Sequence, residues 1–307
     1  MKAALLTANG GPDKLVYGDA PDPKAGEGEI VVDIHAASVN AADYKVRLGS
    51  GYGGPLKFPY ILGRDFSGVV SAVGPGASDF KVGDAVWGVT DRGIEGAYAE
   101  KIAIKEALVA RKPDSLSHTE AAAIALIGLT AIWAIEDDVK LQKGETILIQ
   151  GGAGGVAGFA IQLAKSIGAT VYTTCSTGNV DYVKGLGADR VIDYTRDDFA
   201  KYMGDVTVAF DTVGGDIHEK TYRTLPAGGR MTFIAGNPAT KTDRTDVQIS
   251  RPAVTRDRDH LNRILALMAS GAVKVPAITT YPLSQASEAH KVSEGRHLRG
   301  KLVLVVR

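Results

Sequence analysis

Cysteine is almost missing: Cys175 is the one thiol in 307 residues. That excludes an intramolecular disulfide and a cysteine-cluster zinc site. Charge of one sign is missing too, because 35 Lys and Arg balance 35 Asp and Glu. Such a chain carries no electrostatic footprint for nucleic acid or an acidic membrane. No apolar run is read as reaching the roughly 20 residues of a membrane span. The opening Met1-Lys-Ala-Ala-Leu-Leu-Thr-Ala-Asn-Gly10 turns polar too soon for a signal peptide, so a reducing cytoplasm is the expected location. The six histidines (35, 118, 218, 260, 290, 297) lack H-x-x-x-H spacing. No Tyr-x-x-x-Lys occurs, which removes the short-chain dehydrogenase reading.

What the chain has in quantity is glycine, 37 residues, and their placement is informative. The apolar run Ile147 to Ile149 predicts a buried parallel strand. Gly151 to Gly155 follow at once, and Val156, Phe159, Ala160, Leu163 and Ala164 then recur at helical spacing. Strand, glycine turn and helix in that order predict a dinucleotide-binding unit. Gly152-x-Gly154-x-x-Ala157 fits its fingerprint, with Gly152 for the tight turn, Gly154 for close backbone approach and Ala157 for helix–strand packing. Gly152, Ala153, Gly154, Gly155 and Val156 are the predicted pyrophosphate contacts, at a helix N-terminus that offers N–H groups and positive dipole.

Around this unit the sequence has two textures. Residues 1 to about 115 read as short strands such as Ile30–His35, Ser67–Val73 and Ala85–Val89 between Gly, Pro and Asp turns, a barrel-like domain. From Ser117-His-Thr-Glu120, a capping box, an Ala-rich helix begins, with a second helical run after Gly128. Strands at 146–150, 170–174, 190–193, 206–210 and 230–235 then alternate with helices, which predicts a doubly wound parallel sheet. Residues 237–260 read as a long polar loop, followed by a helix from about His260 to Ser270 and a last strand, Lys301–Val306. The predicted fold is α/β, a Rossmann sheet over 117–259 inserted in a barrel domain formed by 1–116 and 260–307.

Several motifs in one order resemble the medium-chain dehydrogenase/reductase superfamily, in its zinc-free quinone oxidoreductase (zeta-crystallin-like) branch. They are Ser38-Val-Asn-Ala-Ala-Asp43, Leu62-Gly-Arg-Asp-Phe-Ser-Gly-Val-Val70, Val73-Gly-Pro-Gly76, Phe80-Lys-Val-Gly-Asp-Ala-Val86, Gly96-Ala-Tyr-Ala-Glu100, Gly128-Leu-Thr-Ala131 and Arg299-Gly-Lys-Leu-Val-Leu304. The resemblance runs nearly end to end and implies a GroES-like barrel domain and a homodimer joined through nucleotide-domain sheets; the apolar Met231–Ala235 strand reads equally as such an edge or as a central strand. Zinc-dependent members carry Cys and a His-Glu pair where this chain has Asn40, Arg64 and Asp65, so no metal is expected. Without a Lewis acid, reduction of a quinone or α,β-unsaturated carbonyl is the expected chemistry.

The second strand of the nucleotide unit ends at Thr174-Cys-Ser-Thr177 with no acid to hold ribose hydroxyls, which permits NADPH. Ser176 and Asn179 are candidate phosphate partners. Thr212 and Gly214, and Gly236 and Asn237, follow later strand ends, where ligands gather in open sheets. By resemblance, Tyr194 lies near the adenosine phosphate, Thr130 near the nicotinamide and Arg296 near the pyrophosphate. Asn40, also by resemblance, lies beside the substrate carbonyl, where its amide could donate to developing enolate charge. Tyr52, in a glycine-rich loop, and Tyr44 are candidates for stacking on a quinone or relaying a proton. A nucleotide-binding regulatory or crystallin-like protein with little turnover is the alternative.

Overall fold

The computed structural model describes residues 1–50, 55–235 and 243–307. In chain order, the first elements are β1 (Lys2–Leu6), β2 (Leu15–Asp19), β3 (Glu29–Val39), α1 (Ala41–Arg47), β4 (Tyr60–Ile61), β5 (Asp65–Val73), β6 (Ala85–Val89), β7 (Lys101–Lys105) and β8 (Val109–Arg111). Helix α2 (His118–Ile132) continues as a π-helical segment, Trp133–Asp138. Then come β9 (Thr146–Ile149), α3 (Gly155–Ile167), β10 (Thr170–Cys175), α4 (Val180–Gly185), β11 (Arg190–Asp193), β12 (Val208–Asp211), α5 (Asp216–Thr224), β13 (Arg230–Phe233) and β14 (Gln248–Ser250). The chain ends in α6 (Arg258–Ala269), β15 (Ile278–Pro282), α7 (Ala286–Glu294) and β16 (Lys301–Val305).

Two compact units result, one of residues 1–126, 255–264 and 275–307, the other of 127–254 and 265–274. In the first, one sheet runs β15-β16-β3-β5-β6-β8 with β7 also on β3, and a smaller one runs β2-β1-β4. Alternating Val, Ile and Ala of β3 face a core with Leu6, Phe66, Val86, Tyr98, Leu302 and Leu304. Strand β16 pairs antiparallel with β3, Leu302 opposite Val39, so the end of the chain closes onto the end of the long strand.

The second unit is a six-stranded parallel sheet, β11-β10-β9-β12-β13-β14. Strand β9 is central, and after Thr146 its Ile147, Leu148 and Ile149 are buried on both faces, as a sheet covered on both sides requires. The fold class is the one expected, with three differences in detail. The 237–260 stretch contains β14, whose three residues are too few to show a period. Strand β13 therefore lies inside the sheet, between β12 and β14, and Met231–Ala235 is not its edge. The helix from His118 runs through Gly128 to Asp138, 21 residues long and apolar enough to cross a membrane by length and composition alone. Most of its apolar stretch is buried in the protein, the behaviour of a core helix.

Candidate functional site

In the first unit, Asn40 follows β3 and caps α1, its N–H donating to Asp43 Oδ2 at 2.8 Å. Its amide is engaged on both sides. Nδ2 donates to Asp65 Oδ1 at 2.7 Å, and Oδ1 accepts from Lys301 Nζ at 2.8 Å. Asp65, fully buried at the start of β5, also accepts from Ser38 Oγ at 2.7 Å and from the Leu126 N–H at 3.3 Å. Burial pushes the Asp65 carboxyl up and the Lys301 ammonium down, and their opposite charges oppose both shifts. Both oxygens of Asp65 meet donors, which favours its ionised form.

Asp43 accepts from Tyr98 Oη at 2.7 Å and lies 3.5 Å from Arg64 Nε. Arg64 donates to Glu95 Oε1 from Nε and Nη2, at 3.0 and 2.8 Å. Thus Arg64 and Asp65, adjacent in sequence, do not pair with each other as a local ion pair would. Burial first, then the nearby Asp43 charge, pushes the Glu95 carboxyl from its ordinary 4.5 up to about 7. Because the folded-state value is the higher one, the folded protein holds the extra proton between these limits. Glu95 therefore lowers stability as pH rises from about 4.5 to about 7, by up to roughly 3 kcal/mol. We expect urea unfolding of Glu95→Gln to lack this slope; identical pH profiles for the two proteins would contradict it.

Tyr44 lies on α1 and is only 6% exposed, a packing position. Tyr52 lies outside the described residues. Arg296 follows α7 with φ of 55°, a left-handed conformation, and also belongs to the first unit. A further pair went unsignalled in the sequence: the rings of His35 and His118 stack at 4.3 Å, and His118 Nδ1 meets Ser67 Oγ at 2.8 Å. Burial, then His35 and Lys112, holds His118 down to about 4, so it is neutral.

In the second unit the glycine loop follows β9 as expected, with the labour divided differently. Gly151, with φ of 77°, takes the left-handed turn. A Cβ on Gly152 would lie 2.4 Å from Thr173 Oγ1 and 3.1 Å from Val183, so Gly152 serves close packing against β10 and α4. Gly154 is the N-cap of α3, no side chain among the described residues caps that end, and its first-turn N–H groups have no partner within the helix. Gly155 and Val156 form that turn, Ala153 precedes it, and Ala157 is buried beneath. A pyrophosphate fits this donor set.

At the carboxyl ends of β10 and β11, Asn179 Nδ2 donates to Ser176 Oγ at 3.1 Å, and the Tyr194 N–H donates to Cys175 O at 3.1 Å. The Tyr194 side chain is half exposed. No sequence motif marks Asp193, which register sets beside Cys175. Its oxygens accept from Thr177 Oγ1 at 2.6 Å and from Thr195 N and Oγ1 at 3.0 and 2.8 Å. The carboxylate is thus held between the segments that follow β10 and β11. After β12, Thr212 Oγ1 donates to Gln150 O at 2.8 Å, and Asp211 Oδ1 accepts the Val213 and Gly214 N–H groups, tying the loop down. Thr130 is nearly buried on α2. Gly236 and Asn237 lie outside the described residues.

Cys175 ends β10 and is buried, and burial pushes its thiol up to about 11. It is a small packing residue rather than a nucleophile. Iodoacetamide at pH 7.5 should leave the native protein unlabelled over an hour and label it fully in urea; rapid native labelling would contradict this.

The chain matches the family model described as alcohol dehydrogenase GroES-like domain over residues 26–114 and that described as zinc-binding dehydrogenase over 186–304. It is 34% identical to the 2-methylene-furan-3-one reductase of Solanum lycopersicum, covering 99% of this chain and 79% of that one. The quinone oxidoreductase from Coxiella burnetii matches with a TM-score of 0.92 at 32% identity, covering 100% and 99% of the two chains. The Escherichia coli quinone oxidoreductase complexed with NADPH matches with a TM-score of 0.90 at 28% identity, covering 100% of each. With a GroES-like sheet domain, a Rossmann-type sheet and end-to-end likeness to these reductases, the chain belongs to the medium-chain dehydrogenase/reductase superfamily, among its quinone oxidoreductases and enone reductases.

Proposed function

We propose that the protein is an NADPH-dependent, zinc-independent reductase of quinones or α,β-unsaturated carbonyls. The observation that carries this is the uncapped N-terminus of α3 behind Gly151–Gly154, in a chain similar throughout to an enone reductase and to a quinone oxidoreductase complexed with NADPH. Bound NADPH supplies the hydride. The first-turn N–H groups of α3 bind the pyrophosphate. Ser176, Asn179 and Tyr194 bind the adenosine phosphate, and Thr130, Thr212, Gly214, Gly236, Asn237 and Arg296 complete the cofactor contacts. Asn40 donates from Nδ2 to the acceptor's carbonyl oxygen. As the β-carbon gains a hydride, the π pair moves onto that oxygen, and a solvent proton reaching the α-carbon completes the reduction. Of the two tyrosines, Tyr52 is the better candidate to relay it, since Tyr44 is buried.

Zinc-independence rests on the donor set. Asn40 Oδ1 is taken by an ammonium, Arg64 is itself a cation, and both Asp65 oxygens already accept hydrogen bonds, which does not fit Zn²⁺. Among the described residues, no group of three or more His, Cys, Asp or Glu is arranged to hold a metal. We read the assembly as a homodimer in a reducing cytoplasm, with β14, the last strand of the sheet among the described residues, nearest its seam. The test is NADPH oxidation with 9,10-phenanthrenequinone, 1,4-benzoquinone and an alkenal series, repeated with NADH and with chelator. Chelator-insensitive turnover preferring NADPH is expected. NADPH binding without turnover on any acceptor would instead favour a nucleotide-binding protein with no reductase role.

A further inference from the structure

The Asn40 amide stands between two buried charges of opposite sign. An ammonium can only donate and a carboxylate can only accept, so Oδ1 must face Lys301 and Nδ2 must face Asp65. Turning the amide over would set NH₂ against NH₃⁺ and oxygen against carboxylate. Its orientation is therefore fixed by chemistry. One Nδ2 hydrogen goes to Asp65. The other meets Ser38 O at 3.5 Å, a contact too long to satisfy it.

Lys301 is itself locked in place. It is 4% exposed, donates also to Val39 O at 2.8 Å, and opens β16 in the register that brings it to the end of β3 beside Asn40. A cation on Oδ1 draws electron density from the amide nitrogen and strengthens its remaining N–H as a donor.

We infer that Lys301 is a positioning residue for carbonyl reduction: through Asn40 it orients and polarises the amide hydrogen that meets the substrate oxygen. The inference rests on the reading of Asn40 given under Proposed function. It makes a buried lysine the source of fixed positive charge behind the hydrogen-bond donor.

Three variants test it: Lys301→Met, Lys301→Gln, and the double variant Asp65→Asn with Lys301→Met. The double variant removes both buried charges together, so it keeps the test open if Lys301→Met alone fails to fold. Single-turnover hydride transfer in Lys301→Met should slow by about tenfold to a hundredfold, a share of what one oxyanion donor contributes. NADPH affinity, from fluorescence quenching, should stay within about twofold, the split expected when only the transition-state contact weakens. Lys301→Gln should recover part of the rate, because its carboxamide still donates to Asn40 Oδ1. The double variant should fold and stay slow. A parental rate in a folded Lys301→Met or double variant would overturn the inference.

A second readout needs no cofactor. The Asn40 side-chain amide proton held by Asp65, assigned by NMR, should exchange slowly in the parent and at least about tenfold faster in the double variant. Unchanged protection would overturn the clamp. If the parent reduces nothing with NADPH, the functional reading falls, and faster exchange in the double variant still supports the clamp on Asn40.

Discussion

Asn40→Ala should lower kcat by about 10²–10³-fold, the effect of deleting one preorganised donor to a developing oxyanion. NADPH affinity should hold, because the residues proposed for cofactor binding lie elsewhere in the chain. The alanine also leaves Lys301 and Asp65 without the amide that bridges them, so a modest loss of stability should accompany the rate effect. Asn40→Asp is the sharper variant. It keeps the helix cap and the size, but sets an acceptor against Asp65 and removes the N–H. If Asn40 were only a cap, Asn40→Asp would retain kcat. We expect it to be as slow as alanine, and a kcat within about threefold of the parent would contradict the assignment.

The largest stability effect should come from Arg47→Met, about 3–5 kcal/mol by urea unfolding, the cost of breaking a buried charged network on one side. Arg47 ends α1 and is fully buried. Its guanidinium donates to Gly10 O, Glu294 and, at 3.2 Å, His290 Nδ1. That acceptor role leaves the His290 proton on Nε2, which faces Tyr98 Oη at 3.3 Å, and Tyr98 donates onward to Asp43. Burial first, then the Arg47 charge, holds His290 down to about 4, so the imidazole is neutral and can accept. One substitution therefore leaves the buried His290 Nδ1 and the half-buried Glu294 and Gly10 O without their donor. The comparison is Lys165→Met, which breaks an ion pair to Asp189 whose side chains are 34% and 41% exposed. There we expect less than about 1 kcal/mol. Equal effects at the two sites would contradict this account of what holds the first unit together.

The nucleotide unit was legible because its signals are local. An apolar run, a glycine cluster and helical spacing stand side by side in residues 147–164, and later strands such as 206–210 and 230–235 stand between turn signals at regular spacing. Elements without such a signal escaped. Strand β14 is three residues long, α7 is short and polar, and α2 passes Gly128 without a break because it is buried almost all round. The candidate site was legible only in part for a different reason. Asn40 and Lys301 are 261 positions apart, and Arg47 and His290 are 243 apart. No local period joins such partners. One signal was available: Lys301 shares its strand face with Val303, a buried position, and a cation in the buried phase of an apolar strand calls for a buried partner. The turn falls one residue before the expected Gly152, on Gly151, and Gly152 packs instead, because the fingerprint gives spacing and not φ.

The central claim is direct, metal-free hydride transfer from NADPH to an activated carbon. The measurement that tests it most directly is isotope tracing. The purified protein would be run with an α,β-unsaturated ketone, chelator, and NADPH deuterated at C4, each C4 face in turn. We predict one deuterium at the β-carbon of the product from one face only, solvent hydrogen at the α-carbon, and a rate indifferent to chelator. Product without label from either face, or activity lost to chelator and restored by Zn²⁺, would contradict the account.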